Sequence, residues 1–350
     1  MSEQHLHSDV KRLAFVLLPN FSLMPYVSLI EPMRIANRVA GKALYEWGTY
    51  SLDGNPVSAS IGSTTAVDGS LSNMGEADIT LVCAGIDVER GPISRELGGI
   101  LRKNASRGKG IGSVCTGAYV LAKYDLLSGY RCTIHWENLR SFREDYPHIE
   151  VTSDIYEIDR NRYTCAGGTA ALDMMLGLIA LHHGVNIARE TAEILMHHHI
   201  RSGEETQRFD LEARLGVTNP KVLEAIGMMD KHIEDPLSCQ QLAMTVEVSP
   251  RQLERLFRRY FSCTPGQYYL RMRLEVARDL LRRTSRPILD IAIACGFAST
   301  SHFTKCYRER YRCTPTEERQ SYFWSKQEKI EKGASGTAVA GPITTGVGAK

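Results

Sequence analysis

One cysteine of this chain is placed where nucleophilic chemistry commonly occurs. Cys115 lies in Gly112-Ser113-Val114-Cys115-Thr116-Gly117-Ala118, where a strand pattern passes directly into a helix pattern at Tyr119–Leu126. A side chain at such a corner projects over the edge of a sheet, and the first amides of the helix can bind an anion or lower the pKa of a thiol. A nucleophile also needs a base within hydrogen-bond reach. His135, in Thr133-Ile134-His135-Trp136, is the only persuasive candidate, since it ends the next predicted apolar strand.

The same corner could bind a ligand without transforming it. Backbone donors at Thr116 and Gly117 suit a carboxylate, and aromatic rings nearby could face a cationic nitrogen. Together they would accept a zwitterion. The alternative is that the aromatic residues simply belong to the core, as they often do. The predicted ligand pocket consists of Cys115, Thr116, Gly117, His135, Trp136, Tyr26 and Tyr119.

A second group of polar residues belongs to a segment that occurs twice. Ser249-Pro250-Arg251-Gln252-Leu253 leads to Cys263-Thr264-Pro265, and Ser299-Thr300-Ser301-His302-Phe303 leads to Cys313-Thr314-Pro315. The two copies are 50 residues apart (249 to 299, 265 to 315). Each copy predicts a short helix, a tight turn and a longer helix that begins at a capping serine. Two such units in tandem are typical of a protein that reads two successive turns of DNA.

The two longer helices combine an apolar stripe with a polar surface. The stripes are Leu253, Leu256, Phe257 and Tyr260 in the first helix, and Phe303, Cys306, Tyr307 and Tyr311 in the second. The other faces carry donors that suit base edges and phosphates, although any one basic helix could equally be a solvated surface. The predicted DNA-binding residues are Ser249, Arg251, Gln252, Arg255, Arg259, Ser299, Ser301, His302, Thr304, Lys305 and Arg308.

The segment between the two units predicts a rigid spacer. Tyr269–Arg283 has the composition of one continuous helix, and helices in successive major grooves lie about 34 Å apart. The turn before the second long helix contains Gly296, which can adopt a left-handed conformation. Arginines are concentrated in this region, which indicates a polyanion partner. They are Arg251, Arg255, Arg258, Arg259, Arg271, Arg273, Arg278, Arg282 and Arg283.

The first half of the chain alternates strand and helix patterns. Apolar runs at Leu13–Leu18, Ile79–Gly85 and Gly110–Val114 are separated by helical patterns at Met24–Val39 and Ile93–Ala105. This order predicts a doubly wound α/β domain, with a parallel sheet covered by helices on both faces. Ligands of such sheets bind outside the carboxyl ends of the strands, which is where Cys115 is expected.

Length and composition agree with a two-domain protein. The 350 residues are 43% apolar and 23% charged, and the formal net charge is only +2. The predicted organisation is a flexible segment 1–11, an α/β domain 12–203, a linker 204–220, an all-α DNA-binding domain 221–322 and a disordered tail 327–350.

Other features narrow the location and the cofactors. The start lacks the form of a secretory signal and no apolar run reaches the length of a membrane span, so we expect a cytoplasmic protein with no membrane partner. Nine cysteines without Cys-x-x-Cys spacing argue against a disulfide framework and a zinc site. His197-His198-His199 would point in different directions, so we predict no metal and no cofactor.

The second half resembles the DNA-binding domain of the AraC family of transcription regulators. The match covers Lys221–Tyr322, and its most specific part runs from Ile291-Ala292-Ile293-Ala294-Cys295-Gly296-Phe297 to Thr314-Pro315. The first half resembles the class I glutamine amidotransferase and intracellular-protease superfamily. Cys115-Thr116-Gly117-Ala118, His135-Trp136 and Cys165–Asp173 are similar to the GlxA-type AraC regulators, in which the two domains are fused. The resemblance implies a flavodoxin-like or amidotransferase-like sheet ahead of two helix-turn-helix units.

The chain departs from the enzymes of that superfamily at two places. The strand-to-helix corner at Cys115 is called the elbow. Thr116 follows this cysteine, where proteases of the superfamily commonly have histidine, and the loop Asn20–Pro25 lacks the glutamate that several relatives have there. The resemblance therefore implies an enzyme fold that has become a sensor, and we expect no catalysis. The Phe21-Ser22-Leu23-Met24 loop and Glu31-Pro32-Met33-Arg34 resemble regulators of amino-acid, betaine or carnitine-like catabolism.

The leading hypothesis is a ligand-responsive transcription regulator. We expect an activator that binds paired sites on double-stranded DNA as a homodimer, works with RNA polymerase and responds to a small nitrogenous metabolite. A second hypothesis is a cysteine hydrolase or amidotransferase-like enzyme with an accessory DNA-binding module. A third is a DNA-bound protein whose first domain only dimerises or recruits partners.

Overall fold

The computed structural model describes residues 10–86, 88, 94–208 and 211–321. Contacts divide the chain into two units, Met1–Phe209 and Asp210–Lys350. The predictions for residues 1–9 and for the tail 327–350 lie outside the described residues. Within the described ranges, no helix combines the length and the hydropathy that crossing a bilayer requires.

The first unit is built on a seven-stranded sheet in the order β10-β11-β7-β6-β1-β2-β5. All neighbours are parallel except β10, which is antiparallel to β11. The strands are β1 Lys11–Leu17, β2 Tyr45–Ser51, β3 Val57–Ser58, β4 Thr64–Thr65, β5 Gly69–Ser70, β6 Ile79–Cys83, β7 Gly110–Val114, β8 Arg131–Cys132, β9 Glu150–Val151, β10 Tyr156–Asp159 and β11 Arg162–Cys165. The predicted parallel α/β sheet is confirmed.

Helices cover both faces of this sheet, because alternate residues of the buried strands point to opposite sides. Phe15 and Leu17 belong to one hydrophobic cluster, whereas Val16 and Leu18 belong to the other. Helices α1, α5 and α6 contribute to the first cluster, and α2, α3 and α4 contribute to the second. The helices are α1 Leu23–Ala40, α2 Arg95–Ser106, α3 Ala118–Lys123, α4 Leu139–Asp145, α5 Ala170–His183 and α6 Val185–Ile194.

The stretch that ends at His135 is not a strand of the central sheet, contrary to the prediction. Strand β8 contains only residues 131–132 and pairs with β9 in a separate two-stranded sheet. The amide of Thr133 donates to the Thr164 hydroxyl at 2.9 Å, and the Thr133 hydroxyl donates to the Asp154 carbonyl at 2.7 Å. The backbone at this point therefore binds side chains instead of continuing a ladder.

The second unit is helical and has two hydrophobic clusters. One lies around Leu253 and Phe257, and the other lies around Phe303 and Tyr307. Helix α7 lies inside the predicted linker 204–220. The helices are α7 Leu211–Leu215, α8 Pro220–Lys231, α9 Cys239–Thr245, α10 Pro250–Phe261, α11 Pro265–Arg283, α12 Ile288–Ala294 and α13 Thr300–Tyr311. The pairs α9–α10 and α12–α13 are the two predicted helix-turn-helix units, and α11 is the predicted continuous spacer.

The two helix-turn-helix units align in sequence, with one extra residue in the turn of the second. Helices α9 and α12 begin 49 residues apart (239 to 288), whereas α10 and α13 begin 50 residues apart (250 to 300). The turn residues that adopt a left-handed conformation are Glu247, with φ +54°, and Gly296, with φ +72°. These two also lie 49 residues apart (247 to 296), so the second turn is longer by one residue.

We predict that the two turns differ in their tolerance of a side chain. A Cβ at Gly296 would lie 2.6 Å from the Ile233 carbonyl oxygen and from Pro236 Cγ, in a backbone conformation that disfavours L side chains. Gly296→Ala should therefore reduce the free energy of unfolding of the second unit by at least about 1 kcal/mol. At the matched position, Glu247→Gly should stay within about 0.5 kcal/mol, because relief of left-handed strain offsets the entropy of glycine.

Calorimetry of the full chain checks this pair of variants. The transition of the second unit should fall by several degrees in Gly296→Ala and stay in place in Glu247→Gly. Equal shifts in both variants would show that the turn does not depend on the left-handed residue.

Candidate functional site

Cys115 lies at a strained corner between β7 and α3. Its φ is +58°, a left-handed conformation that costs a residue with a Cβ about 1–2 kcal/mol. A short 3-10 turn at Cys115–Gly117 follows, and it turns the chain into α3. The Thr116 hydroxyl donates to the Gly85 carbonyl, so it is held by the loop that follows β6. The half-buried Cys115 side chain is thus presented at the carboxyl ends of the parallel strands, as predicted.

Glycines allow neighbouring segments to approach this corner closely. A Cβ on Gly117 would lie 2.7 Å from the Val82 carbonyl oxygen, and a Cβ on Gly167 would lie 3.2 Å from the Cβ of Cys115. Gly167 has a φ of +101° and belongs to the Cys165–Asp173 motif. Glycine at position 167 therefore avoids both close contact of a side chain with Cys115 and the strain of a positive φ.

Two further thiols lie near Cys115 but are buried. Burial raises the pKa of Cys83, and it raises the pKa of Cys165 to about 12, with a smaller contribution from Cys115 in each case. Both thiols therefore stay protonated at neutral pH. Cys115 is the member of this group that is partly accessible to solvent.

His135 and Trp136 lie beside the elbow. The amide of His135 donates to the Cys115 carbonyl at 3.3 Å, and the rings of His135 and Trp136 have centroids 5.8 Å apart. The Trp136 side chain is 40% exposed. The guanidinium carbon of Arg208 lies 4.3 Å from the centroid of the Trp136 ring, which is a cation–π contact. Trp136 therefore contacts a cation in this structure, and the cation comes from the chain itself.

Tyr26 and Tyr119 do not belong to one pocket, contrary to the prediction. Tyr26 is 8% exposed, packs edge-on against Phe15 and hydrogen-bonds Thr49 at 2.8 Å. Tyr119 is 3% exposed and hydrogen-bonds the Ser141 hydroxyl at 3.0 Å. The two rings belong to the two clusters on opposite faces of the sheet. Both are core residues, and the structure places Cys115, Thr116, Gly117, His135 and Trp136 together without them.

A buried carboxylate near the site has no counterpart among the predicted residues. Asp173 of α5 is fully buried and accepts from His197 Nε2 at 2.7 Å and from the Arg201 amide at 2.9 Å. The Arg201 guanidinium binds the same carboxylate at 2.9 and 2.6 Å and donates to the Thr169 hydroxyl at 2.7 Å. These contacts tie the loop around Gly167, which touches Cys115, to residues far along the chain.

The three consecutive histidines have separate surroundings. His197 contacts Asp173, whereas His199 Nε2 lies 3.6 Å from Glu205 Oε1. In the part of the chain that the structure describes, no three metal-ligating side chains converge.

Residues 201–208, here called the connector, pack against the elbow domain. The Ile155 amide donates to the Glu205 carbonyl at 2.9 Å, and the Gln207 amide donates to the Ser153 carbonyl at 3.1 Å. The Gln207 side-chain nitrogen lies 2.9 Å from both the Thr133 hydroxyl and the Ile134 carbonyl. These hydrogen bonds make residues 204–208 part of the first unit, although the sequence assigned them to the linker.

The N-termini of α10 and α13 are capped as predicted. The Ser249 hydroxyl accepts from the Gln252 amide at 3.2 Å, and the Ser299 hydroxyl accepts from the His302 amide at 3.2 Å. Pairs at equal positions in the two helices are Arg251 and Ser301, Gln252 and His302, Arg255 and Lys305, and Arg258 and Arg308, and all eight are exposed. Arg259 is exposed, and Thr304 is half-buried. The two helices therefore present polar side chains in the same register.

Three arginines of the basic concentration serve the fold instead of a free surface. Arg273 of α11 donates to the carbonyls of Cys295 at 2.7 Å and Gly296 at 2.6 Å. Arg278 and Arg282 both bind Glu318, a carboxylate that is 4% exposed. The prediction that the arginines as a group face a polyanion is therefore wrong for these three, because long-range partners occupy them.

The fold and these surfaces define a protein with an elbow-bearing α/β domain ahead of a double helix-turn-helix unit. The model of the DJ-1/PfpI family matches residues 11–181, and a model described as a helix-turn-helix domain matches residues 242–321. Both matches agree with the structural units described above.

Three HTH-type transcriptional regulators are similar to most of the chain. GbdR of Pseudomonas aeruginosa is 42% identical over 308 residues, which cover 88% of this chain and 84% of GbdR. CdhR of the same organism is 43% identical, with 87% and 90% covered. GlxA of Rhizobium meliloti is 34% identical, with 88% and 95% covered. The chain belongs to this family of HTH-type transcriptional regulators, in which a DJ-1/PfpI domain precedes an AraC-type helix-turn-helix domain.

We predict that Asp173 is essential for the stability of the first unit. Asp173→Ala would leave the Arg201 guanidinium without its buried carboxylate, which should cost about 3–5 kcal/mol. Glu46→Ala is the matched control, because its ion pair with Arg12 is exposed on both sides and should contribute less than about 1 kcal/mol. Denaturant unfolding of the two variants checks the difference, and equal losses would contradict it.

Proposed function

We propose that this chain is a transcription activator that reads DNA with α10 and α13 and responds to a small nitrogenous metabolite bound beside Cys115. The observation that carries the proposal is the equal register of exposed donors on two capped helices. The same polar positions recur in α10 and α13, from Arg251 and Ser301 to Arg258 and Arg308. One basic helix would be an ordinary solvated surface, but two matched helices in tandem suit adjacent major-groove segments.

A stiff spacer supports the reading of two grooves. Helix α11 has 19 residues and is therefore about 28 Å long. Its Tyr269 hydroxyl donates to the carbonyl of His232, which follows α8. Its Arg273 side chain donates to the Cys295 carbonyl in the turn of the second helix-turn-helix unit. The Tyr268 ring of α11 also packs against Phe257 and Phe261 of α10. The spacer therefore contacts both helix-turn-helix units, so their separation should vary little.

The DNA-binding residues in this proposal are those that the sequence selected. Ser249 and Ser299 position the helices and can contact phosphate, whereas the other nine side chains reach base edges or the backbone. A homodimer on paired sites would present four recognition helices, and activation would follow from contact with RNA polymerase. Because the chromosome is in the cytoplasm of bacteria, DNA binding supports a cytoplasmic location.

The elbow supports an effector that carries both charges. Amides at Thr116 and Gly117 start the helical turn after Cys115 and suit a carboxylate, and Trp136 already stacks with a guanidinium. Amino acids and betaine-like or carnitine-like quaternary amines combine these groups. We therefore propose this class as the effector.

We also propose that the elbow domain does not catalyse a reaction. The residue after Cys115 is a threonine whose hydroxyl is bonded to Gly85, and residues 18–24 contain no carboxylate. The strained φ of Cys115 is the one observation that favours the alternative, a cysteine hydrolase or amidotransferase-like enzyme. Cys115→Ala separates the two: a sensor keeps binding DNA and ligand, whereas a thiol enzyme loses nearly all turnover.

We predict that Arg255→Ala and Lys305→Ala each weaken specific DNA binding. Loss of a base or phosphate contact costs about 1–3 kcal/mol, which corresponds to roughly 5–150-fold in affinity. Arg310→Ala removes the same charge from α13 outside the predicted surface, and it should change affinity less than about twofold.

Binding to a sequence enriched from randomised duplex DNA, measured at several salt concentrations, checks these variants. Unchanged affinity in both Arg255→Ala and Lys305→Ala at moderate salt would contradict the assigned surfaces.

We predict that a zwitterionic or cationic metabolite stabilises the first unit of the full chain. At a hundred times its dissociation constant, a ligand adds about 2.7 kcal/mol, which raises the unfolding midpoint by several degrees. Thermal unfolding with amino acids, betaines, carnitine, polyamines and uncharged analogues checks this. If no compound raises the unfolding midpoint, the result would favour the third hypothesis, a domain that only dimerises or recruits partners.

A further inference from the structure

The connector contacts the segments that surround Cys115 at three points. Arg201 binds Asp173 and Thr169 beside the Gly167 loop, Gln207 binds Thr133 and Ile134, and Arg208 stacks on Trp136. The Gly167 loop and Trp136 are also the walls of the elbow, since Gly167 approaches Cys115 and the neighbouring His135 amide binds the Cys115 carbonyl. The connector therefore contacts the same residues that a ligand bound beside Cys115 would contact.

We propose that Arg208 is a built-in competitor for the effector: a cationic ligand displaces its guanidinium from Trp136 and thereby loosens the connector. This inference rests on the proposed function, because it describes how the proposed sensing site is read out. The connector ends next to the boundary between the two units, at Phe209. Loosening it changes the tether through which the second unit is attached.

The three attachments differ in accessibility, and the Arg208 contact is the one on the ring proposed for the effector. Arg201 is bound to a fully buried carboxylate, and Gln207 donates to groups in the interior of the first unit. The Arg208 guanidinium contacts a partly exposed ring, which is the ring face that a cationic ligand would use. Displacement would therefore begin at residue 208, and it would leave the Arg201 attachment in place.

Competition makes the coupling reciprocal. One ring face holds one cation, so ligand binding and docking of Arg208 on that face oppose each other by the same free energy. The effector class and the direction of the connector response follow from the same contact.

Hydrogen exchange of the full chain tests the loosening directly. In Arg208→Ala, the amides of Gln207 and Ile155, which donate to Ser153 and Glu205, should exchange about threefold faster than in the wild type. Arg160→Ala is the matched control, since Arg160 stacks on Tyr130 at 3.8 Å in the same unit. It should leave both amides unchanged. Equal exchange at Gln207 in Arg208→Ala and wild type would overturn the proposal.

Tetramethylammonium chloride is the probe of the competition, with sodium chloride and neopentyl alcohol as charge and shape controls. Binding is read from protection of the amides at residues 135–139, and loosening is read from faster exchange at Gln207. In the wild type, we expect tetramethylammonium to protect residues 135–139 and to speed exchange at Gln207, whereas sodium chloride and neopentyl alcohol should do neither. In Arg208→Ala, half-maximal protection should need about threefold less probe, because the competitor is absent.

The outcomes separate this inference from the proposed function. Protection at 135–139 with no change at Gln207, or equal probe concentrations in wild type and Arg208→Ala, would overturn competition while a cation-sensing site remained. No protection even in Arg208→Ala would mean that Trp136 does not recognise cations, and would overturn both.

Discussion

The buried carboxylate of Asp173 is the interaction on which the arrangement of the first unit depends. A fully buried charge needs charged and polar partners, and here they come from His197 and Arg201, which lie beyond α6. Satisfying Asp173 therefore brings the end of the domain back to the loop that touches Cys115. From there the connector can reach Trp136, so the site and the exit of the chain are built from the same residues.

The second unit meets a different constraint, which is to hold two equal surfaces at a constant separation. Local rules build each surface: a serine cap, an apolar stripe and a left-handed turn residue. Long-range contacts then hold α11 against both helix-turn-helix units, since its Tyr268 ring packs on Phe257 of α10 and its Arg273 binds the turn that contains Gly296. The same kind of residue thus has two roles, at the surface in α10 and inside the fold in α11.

Sequence reasoning identified the features whose causes are local. The parallel strands, the two caps, the left-handed Gly296 and the elbow at Cys115 all follow from short patterns of residue type. It failed where burial depends on the packing of distant elements. Tyr119 follows Cys115 closely in sequence and Tyr26 follows the first strand, but α3 and α1 cover opposite faces of the sheet, which places the two rings in separate cores. Arg201, Gln207 and Arg208 carried no pattern, because their partners are distant in sequence.

The most direct test of the account is a major-groove footprint of the full chain on DNA enriched from a randomised pool. Methylation interference at guanine N7 reports contacts in that groove base by base. Two helix-turn-helix units joined by a rigid α11 predict two contacted segments per subunit, with centres about 10 base pairs apart. A single contacted segment, or a pool that yields no preferred sequence, would contradict the claim that α10 and α13 read adjacent grooves.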